Sequence, residues 1–471
     1  MRGLLRFSRQ RLGQFRAPSF FAVSGGLLAG LLVAGVLASA AAAATGEAQP
    51  AAPPAERPPV GQRLTSQLSG SVAAHDGGRL RLITDLGNVV IRTRNSGRVD
   101  YSVSLEADAS QKDARALLKS FAVSGRETAD GVVIRGQTIG RECSGRLWVT
   151  IQVSVPKDFS LDVSTGGGNI QADDVDGRVV FSTRGGNLIA GNIGGPARLY
   201  SESGGHISVK NVAGDLTAIT GGGHITAGSI SGNASLHTGG GHIRVTSVTG
   251  IARLDTGGGN VTLEHSGTEL VADTTGGQID VGEAAGLVRA RTGGGGIRLV
   301  RVSGPTNLQT SGGSIYLTQV DGAVKASALA GGITAWFVAT PKGPGECELA
   351  SSDGDIVVYL PRQLPVTIDA LVKMGDDHRV IVDPAFPLKV SYGDASGGAR
   401  TVRAEGALNG GGEVIHLRTV AGNIRLALSD TAKQMQLYKE QMLQMQKNFD
   451  FQLRMLEQLP QPEQPPQAPQ Q

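Results

Sequence analysis

Three histidines occupy one position of a repeated motif, and they are the residues of this chain that come closest to a metal site. His206, His224 and His242 each follow a glycine and precede an aliphatic residue in successive repeats. If successive repeats stack at strand spacing, about 4.8 Å, the three imidazoles share one edge, where their nitrogens could bind zinc, copper or nickel. Other repeats carry different polar residues at this position: Asn169, Asn187, Asn260, Gln278 and Ser314. The position therefore calls for a polar turn residue, and we expect neither a metal nor another cofactor there.

The sequence shows no set of residues suited to catalysis. Glycine-rich corners are typical of phosphate-binding loops, but no Lys-Ser or Lys-Thr pair follows these corners. Calcium-binding β-rolls with a similar repeat length place an Asp in the turn, which the glycine corners of this repeat lack. Polysaccharide-cleaving β-helices need long loops with clustered carboxylates, and hexapeptide acyltransferases need aliphatic residues six positions apart. The repeat has neither feature, so we predict a non-enzymatic protein.

A sequence period of 18 residues determines which strands and turns hold these side chains. The motif Gly-Gly-x-aliphatic recurs with its aliphatic anchor 18 residues after the previous one, except for one step of 19 between Leu188 and Ile207. The anchors are Ile170, Leu188, Ile207, Ile225, Ile243, Val261, Ile279, Ile297, Ile315 and Ile333. A unit this short cannot bury its own apolar face, so the period predicts a solenoid in which successive coils share one core.

Each repeat encodes two strands joined at glycine corners. Counted from the anchor, small or aliphatic residues recur at plus two, plus nine and plus eleven, in the steps of two that a strand requires. Gly at plus seven and a Gly pair before the anchor allow the reversals. A Thr or Ser at plus thirteen, as at Thr238 and Thr256, predicts a ladder of hydroxyl groups beside the corner. Aromatic residues make up only 4% of the chain, so we expect a narrow interior without room for a ligand.

The regions outside the repeat divide into six segments with different compositions. Arginines, an apolar stretch and an alanine run in residues 1–45 are typical of a signal peptide or of a signal anchor retained through residues 20–44. We favour cleavage over a membrane tether, and either outcome predicts export to the periplasm or cell surface. Before the solenoid repeats (164–340) we predict a Pro/Ala-rich linker (46–62) and a β-rich N-terminal cap (63–163), which contains a helix at about Gln111 to Phe121. After the repeats we predict irregular C-terminal coils with a second cap (341–428), an amphipathic helix (429–459) and a disordered Pro/Gln tail (460–471).

The predicted C-terminal helix has an apolar seam in alternating steps of three and four residues, interrupted by Gln452. The seam residues are Met435, Tyr438, Met442, Met445, Phe449 and Leu456. Two interpretations stay open. The helix folds back onto the edge of the solenoid, or it mediates self-association into a homo-oligomer.

Charge and cysteine content narrow the range of partners. The 44 basic and 41 acidic residues leave a net charge of +3, and no basic run lies outside the N-terminal segment, so we expect no nucleic-acid partner. Cys143 and Cys347 flank the repeats. Ten stacked coils would separate them by about 45 Å, which is beyond the reach of a disulfide.

The segments that enter and leave the repeat resemble a bacterial family of adhesin-like domains of unknown function. The stretch Val-Pro-Lys-Asp-Phe-Ser-Leu-Asp-Val-Ser-Thr at 155–165 looks like the entry to that domain, and the stretches at 355–361 and 417–424 look like its closing coils. The resemblance covers about residues 80–428. It implies a β-solenoid of the cell envelope with a proposed adhesive role, and it carries over no catalytic residues.

The predicted fold is therefore all-β: a single-chain parallel β-solenoid with about 18 residues per coil, β-rich caps at both ends and a C-terminal α-helix. We predict an exported, non-enzymatic binding or scaffolding surface whose partner is an envelope protein or a surface polysaccharide. The alternative is an envelope assembly or regulatory subunit that oligomerises or docks through the C-terminal helix.

Overall fold

The computed structural model describes residues 63–111, 113–140, 146–374, 377–394, 400–430, 432–437, 439–444 and 447. The predicted signal segment, the Pro/Ala-rich linker, Cys143 and the Pro/Gln tail lie outside these residues.

The chain before the repeat forms strands and one short helix. They are β1 (Arg63–Ala73), β2 (Arg79–Thr84), β3 (Asn88–Thr93), β4 (Arg98–Asp108), α1 (Ala114–Lys119), β5 (Phe121–Thr128), β6 (Gly131–Thr138) and β7 (Leu147–Val155). The helix predicted near Gln111 is confirmed as α1. Residues 80–91 are divided into β2 and β3 by a turn in which Gly87 has a φ of 110°, a value that favours glycine.

The repeat region alternates between two short strands per coil, as the spacing of small and aliphatic residues predicts. The strands are β8 (Ser160–Thr165), β9 (Ile170–Ala172), β10 (Val179–Thr183), β11 (Leu188–Ala190), β12 (Ala197–Ser201), β13 (Ile207–Val209), β14 (Leu216–Thr220), β15 (Ile225–Ile230), β16 (Ala234–Thr238), β17 (Ile243–Val248), β18 (Ile251–Thr256), β19 (Val261–Ser266), β20 (Glu269–Thr274), β21 (Ile279–Ala284), β22 (Leu287–Thr292), β23 (Ile297–Val302), β24 (Thr306–Thr310), β25 (Ile315–Val320), β26 (Val324–Ala328) and β27 (Ile333–Phe337).

The chain after the repeat adds eight strands and then turns helical within the described residues. The strands are β28 (Cys347–Ser351), β29 (Ile356–Leu360), β30 (Val366–Val372), β31 (Val380–Val382), β32 (Lys389–Asp394), β33 (Arg400–Leu408), β34 (Val414–Thr419) and β35 (Ile424–Leu428). Residues 432–437, 439–444 and 447 are helical, and we call them the C-terminal helix.

The strands form two facing sheets, and the anchors belong to the first of them. Sheet A has 17 strands, and its spatial order is β1, β4, β7, β3, β9, β11, β13, β15, β17, β19, β21, β23, β25, β27, β29, β35, β31. Sheet B has the order β5, β6, β2, β8, β10, β12, β14, β16, β18, β20, β22, β24, β26, β28, β34, β30, β33, β32.

Register within the repeat follows the 18-residue period. Ile225 pairs with Ile243 in sheet A, and Leu236 pairs with Leu254 in sheet B. The single step of 19 is absorbed at the corner before Ile207, where Gly204 has a φ of 131°. The anchors and their partners on sheet B are almost completely buried, so the inward faces of the two sheets share one core. The predicted parallel β-solenoid is confirmed.

The hydroxyl groups at plus thirteen bond to the neighbouring coil rather than to one another. Thr256 donates to the carbonyl oxygen of Gly241 in the preceding coil at 2.7 Å, and its Oγ1 accepts the N–H of Gly259 in its own corner at 3.1 Å. The same donation recurs from Thr183 to Thr310. The predicted ladder therefore satisfies buried backbone groups that a glycine corner leaves without strand partners.

Both ends of the solenoid contain coils that are out of chain order. The coil formed by β2 and β3 lies between the β6/β7 coil and the β8/β9 coil. The coil formed by β34 and β35 lies between β28/β29 and β30/β31. Antiparallel strands then close each end, with β1 and β4 on sheet A, β5 on sheet B, and β33 and β32 at the far end of sheet B. Capping strands of this kind protect the edges of a solenoid from pairing with another molecule.

Candidate functional site

His206, His224 and His242 form a stack on the outer edge of sheet A, as their spacing predicts. The ring centroids of neighbouring histidines are 4.9 Å apart, and the rings are within 7° of parallel. Nδ1 of His206 accepts the backbone N–H of His224 at 3.0 Å, and Nδ1 of His224 accepts that of His242 at 2.9 Å. Nδ1 of His242 in turn accepts the N–H of Asn260 at 2.8 Å. Each imidazole thus caps the start of the next coil.

Asparagine side chains continue the same ladder in both directions. The Oδ1 atoms of Asn169 and Asn187 accept the backbone N–H of the equivalent residue one coil later, at 2.8 Å in both cases. Oδ1 of Asn260 accepts the N–H of Gln278 at 3.0 Å. From Asn169 to Asn260 the position supplies a hydrogen-bond acceptor on the side chain, which Asn Oδ1 and a neutral His Nδ1 both provide, whereas Gly296 and Gly332 occupy the same position in later coils.

The geometry of the stack favours this structural role over a shared metal ion. Because each Nδ1 accepts an N–H, the ring proton of the neutral imidazole must lie on Nε2. A metal at Nε2 would move that proton to Nδ1, where it would face the backbone N–H. Burial lowers the pKa of His224, with further contributions from His206, His242 and Arg244, and burial and Arg244 lower that of His242. Among the described residues, no group of three or more His, Cys, Asp or Glu side chains is arranged to hold a metal.

A charged cluster near the C-terminal end of sheet B was not predicted from the sequence. Asp369 on β30 accepts hydrogen bonds from Arg403 Nε at 3.0 Å and from Arg418 at 2.8 Å, and its Oδ2 lies 3.1 Å from His416 Nδ1. Its side chain is 12% exposed. Burial acts to raise the pKa of Asp369, but the bonds from Arg403 and His416 and the charge of Arg418 outweigh it and lower the pKa. The bonds of this carboxylate go to cations on β33 and β34, so it holds the intercalated coil in place.

A shallow groove follows the corner at the end of the sheet B strands. Outward side chains from three adjacent strands line it, namely Arg291, Gln309 and Ser327, together with Ser311 and Leu329 at the corner. The three outward residues are register partners on β22, β24 and β26. Leu329 is 59% exposed. The groove therefore presents hydrogen-bonding groups of three kinds at strand spacing, beside one exposed apolar side chain.

The C-terminal helix contacts sheet A through two glutamines. Gln434 Nε2 donates to the backbone oxygen of Thr318 at 2.8 Å, and Thr318 Oγ1 donates to Gln441 Oε1 at 2.7 Å. Thr318 on β25 is completely buried, and Gln434 is 6% exposed. The fold-back interpretation therefore describes this part of the helix.

The predicted self-association residues are only partly described. Met435 is 45% exposed, and Met442 is half-buried. Tyr438, Met445, Phe449 and Leu456 lie outside the described residues, so self-association through the seam stays a prediction. Gln434 and Gln441 were not predicted from the sequence as contact residues. Their separation of two helical turns was the signal that could have revealed them.

The sequence matches the family described as Toastrack DUF4097 over residues 80–381, which is more than half of the chain. The chain belongs to the Toastrack DUF4097 family. The match begins within β2 and ends within β31. It therefore includes all of the repeat strands from β8 to β27. The resemblance to a family of unknown function is thereby confirmed. No curated protein matches this Toastrack chain.

Three solved structures are similar to this Toastrack chain at low identity. A proposed cell adhesion protein from Clostridium sporogenes is 6% identical with a TM-score of 0.16, covering 78% of this chain and 100% of its own. A proposed lipid-binding protein from Parabacteroides distasonis is 12% identical with a TM-score of 0.22, covering 64% and 98%. A proposed adhesin from Bacteroides fragilis is 13% identical with a TM-score of 0.18, covering 62% and 96%. At these scores we transfer no activity or ligand from them.

Proposed function

We propose that this protein is an exported, non-enzymatic β-solenoid whose outer faces act as a binding or scaffolding surface in the cell envelope. The observation that carries the proposal is the uninterrupted stack from β8 to β27, whose interior is filled by buried aliphatic side chains. A filled interior leaves no room for a ligand, so recognition takes place on the outer faces. Such extended surfaces are what solenoids use to bind their partners.

The groove along sheet B supports a surface polysaccharide as the partner. Arg291 supplies charged donors, Gln309 supplies an amide donor and acceptor, and Ser327 and Ser311 supply hydroxyl groups. Because neighbouring strands are about 4.8 Å apart, these hydrogen-bonding side chains recur at that interval along the stack. An extended polymer with regularly spaced hydroxyl groups can satisfy such an array, with Leu329 packing against the apolar face of a sugar ring.

Affinity electrophoresis in gels containing polysaccharide extracted from the producing cells tests this proposal. We expect retardation of the protein, and we expect Arg291→Ala with Gln309→Ala to weaken it at least about tenfold, since a hydrogen bond from the charged Arg291 contributes about 1.5–3 kcal/mol and one from the neutral Gln309 about 0.5–1.5 kcal/mol. Arg253→Ala, an exposed residue of sheet B on β18, serves as the matched control. Absence of retardation, equal weakening by the control, or release of reducing ends from the polymer would each reject the proposal.

Export is the part of this proposal that rests on residues 1–45. The helices in the part of the chain that the structure describes are not long and apolar enough to cross a membrane. Cell fractionation combined with mass spectrometry of the mature N-terminus tests export. Cleavage near the alanine run gives a released protein, an intact N-terminus in the membrane fraction gives a tethered one, and recovery from the cytosol rejects export.

A second candidate function is assembly through the C-terminal helix. Met435 and Leu443 are 45% and 51% exposed, so the helix presents apolar side chains on its outer side. Exposed apolar groups of this kind favour contact with another molecule. If the helix assembles the protein, Met435→Gln with Leu443→Gln should reduce the mass measured by light scattering during gel filtration, whereas Gln444→Ala should not. An unchanged mass would remove this candidate.

A further inference from the structure

We propose that β1 is the contact edge of a symmetric dimer, in which the β1 strands of two copies pair in antiparallel fashion and join sheet A of one copy to sheet A of the other. The occupant of this edge is a second copy of the same chain. Such a dimer uses neither the groove along sheet B nor the C-terminal helix, so it is independent of both functions proposed above.

The outer edge of β1 is open and carries none of the usual protection against pairing. β1 covers the edge of β4 and thereby becomes the last strand of sheet A. Among the described residues, β1 pairs only with β4. Soluble proteins guard such edges with charged residues, prolines or very short strands. From Leu64 to Ala73, β1 contains no charged residue and no proline.

The other edge strands in the described part of the chain differ from β1 in this respect. At the far end of sheet A, β31 has only three residues. On sheet B, β5 contains Arg126 and Glu127, and β32 begins with Lys389. With 11 residues, β1 is the long, uncharged edge of the molecule. An edge of this kind recruits another strand, with affinity supplied by main-chain hydrogen bonds.

The core-facing side of β1 is apolar but incompletely covered. Leu64, Leu68 and Val72 each lie opposite a residue of β4 that is completely buried, so they point towards the interior. Leu64 and Leu68 are nevertheless only half-buried. Covering this apolar surface with the same surface of another copy would stabilise the pair.

This row of apolar residues is complementary to itself in one register. With Leu68 on the two-fold axis, Leu68 faces Leu68 of the second copy, and Leu64 faces Val72 of the second copy. Apolar pairs directly opposite each other stabilise antiparallel strands. A slip of two residues in either direction would place Leu68 opposite Ser66 or Gly70, and both apolar pairs would be lost. The pattern therefore selects a single symmetric register.

The solvent side of β1 also matches itself in this register. The one charged residue of the strand, Arg63, faces Ala73 of the second copy, so no like charges are opposed. The remaining pairs join neutral polar side chains, which form hydrogen bonds across antiparallel strands. These pairs are Thr65 with Ser71 and Gln67 with Ser69.

The length of the edge sets the strength of the dimer. The 11 residues of β1 extend over about 37 Å, and a sheet with its side chains is about 10 Å thick, so pairing buries about 750 Å² in total. This is less than the roughly 1,200 Å² of a stable interface. Antiparallel pairing over this length nevertheless forms about ten backbone hydrogen bonds, as many as a standard interface contains. We therefore expect a reversible dimer that forms at micromolar concentration.

Sedimentation velocity of the purified full chain over a range of concentrations tests the dimer. Leu68→Lys and Leu68→Glu should each raise the concentration of half-dimerisation at least about tenfold, because like charges then face each other on the axis. Mixing the two variants should restore the dimer, since opposite charges are then paired, and a misfolded variant could not give this result. The matched control is Leu388→Lys, which changes a half-buried leucine between β31 and β32 and should associate like the parent.

A disulfide tests the register. In a Cys143→Ser background, Leu68→Cys should give a covalent dimer on oxidation, because β-carbons directly opposite each other are close enough for a disulfide. Leu64→Cys should not, since the two copies of residue 64 lie about 27 Å apart along the edge. Cys347 will not compete, because it is completely buried and burial raises the pKa of its thiol to about 11.

Four results would overturn the assignment. One is a monomer at every concentration, and another is a disulfide that forms equally well from Leu64→Cys. The third is a dimer that resists Leu68→Lys but is lost in Met435→Gln with Leu443→Gln, which would assign association to the C-terminal helix. The fourth is growth into assemblies larger than a dimer, because a two-fold contact closes on itself.

Discussion

Replacing the stacked histidines by asparagine should remove a pH-dependent part of the stability of the solenoid. In the folded protein, Nδ1 of His206, His224 and His242 each accepts a backbone N–H at 2.8 to 3.0 Å. Protonation converts each acceptor into a donor, so the bond is lost. The pKa values of His224 and His242 are lowered by burial and by nearby positive charge, including that of Arg244.

The sign follows from proton linkage. The unfolded chain binds protons at an ordinary histidine pKa of about 6.5, and His224 and His242 bind them less readily in the folded protein, so stability falls as protons are added. The contribution is complete above about pH 7 and is lost as the pH falls below about 6.5 towards the lowered pKa values. A hydrogen bond to a neutral acceptor contributes about 1 kcal/mol to stability. We take less than this for each histidine, because His224 and His242 are exposed to solvent. Two imidazolium ions at the 4.9 Å spacing of the rings repel by about 1 kcal/mol in water.

We therefore expect the protein to lose about 2 kcal/mol of stability from this stack between pH 7.5 and pH 5, which lowers its melting temperature by about 2 to 3 °C. The triple variant His206→Asn, His224→Asn, His242→Asn keeps an acceptor at each position, as Asn187 and Asn260 do in neighbouring coils, but it cannot be protonated. Its melting temperature at pH 7.5 should match that of the parent, and its change on acidification should be smaller by this amount.

The comparison between parent and variant isolates the stack, because the remaining histidines are the same in both proteins. Differential scanning calorimetry at matched ionic strength is the assay. A triple alanine variant should be less stable at both pH values, since it lacks the acceptors. If the parent and the asparagine variant lose the same stability between pH 7.5 and pH 5, the stack does not titrate as we infer.

Three further predictions follow from the corners and the charged cluster. Gly259→Ala should destabilise the protein by more than 2 kcal/mol, because its Cβ would clash with the carbonyl oxygen of Gly241, whereas the neighbouring Gly258→Ala meets nothing within 4 Å and should unfold at nearly the parental urea concentration. Ala328 occupies the position that threonine has in the hydroxyl ladder, so Ala328→Thr should raise the free energy of unfolding by about 1 kcal/mol in a thermal melt, because it adds a hydrogen bond. Ala328→Val, which has the same shape without the hydroxyl group, should not. Equal stabilisation by both variants would mean that the added side-chain volume, and not the hydrogen bond, is responsible. Asp369→Asn should cost about 2 kcal/mol at pH 7, because the carboxylate, which is 12% exposed, loses its charge-assisted hydrogen bonds from Arg403 and Arg418. Because the lowered pKa of Asp369 makes its contribution complete above about pH 4 and lost below it, the gap to the parent should close on acidification, and a gap that persists at pH 2 would argue against an electrostatic origin.

The candidate site illustrates how far local pattern extends. The spacing of His206, His224 and His242 correctly places the three rings in one stack, because equivalent residues of neighbouring coils must be adjacent. Their role could not be read from the spacing, since it depends on which ring nitrogen faces the next backbone N–H. The cluster around Asp369 was out of reach for another reason. Its partners come from β33 and β34, and no repeat relates those strands to β30.

The amino-acid sequence by itself determined the two strands per coil, the glycine corners and the polar ladders. These features depend on contacts between residues one period apart, and the period is written in the chain. Only the tertiary structure decided that β2 with β3 and β34 with β35 are inserted out of chain order, and that the C-terminal helix rests on sheet A through Gln434 and Gln441. These pairings join segments that are far apart in the chain and unlike in sequence, so no repeated pattern reveals them. They form because the stacked regular coils leave strand edges open at both ends, and these segments pair with those edges.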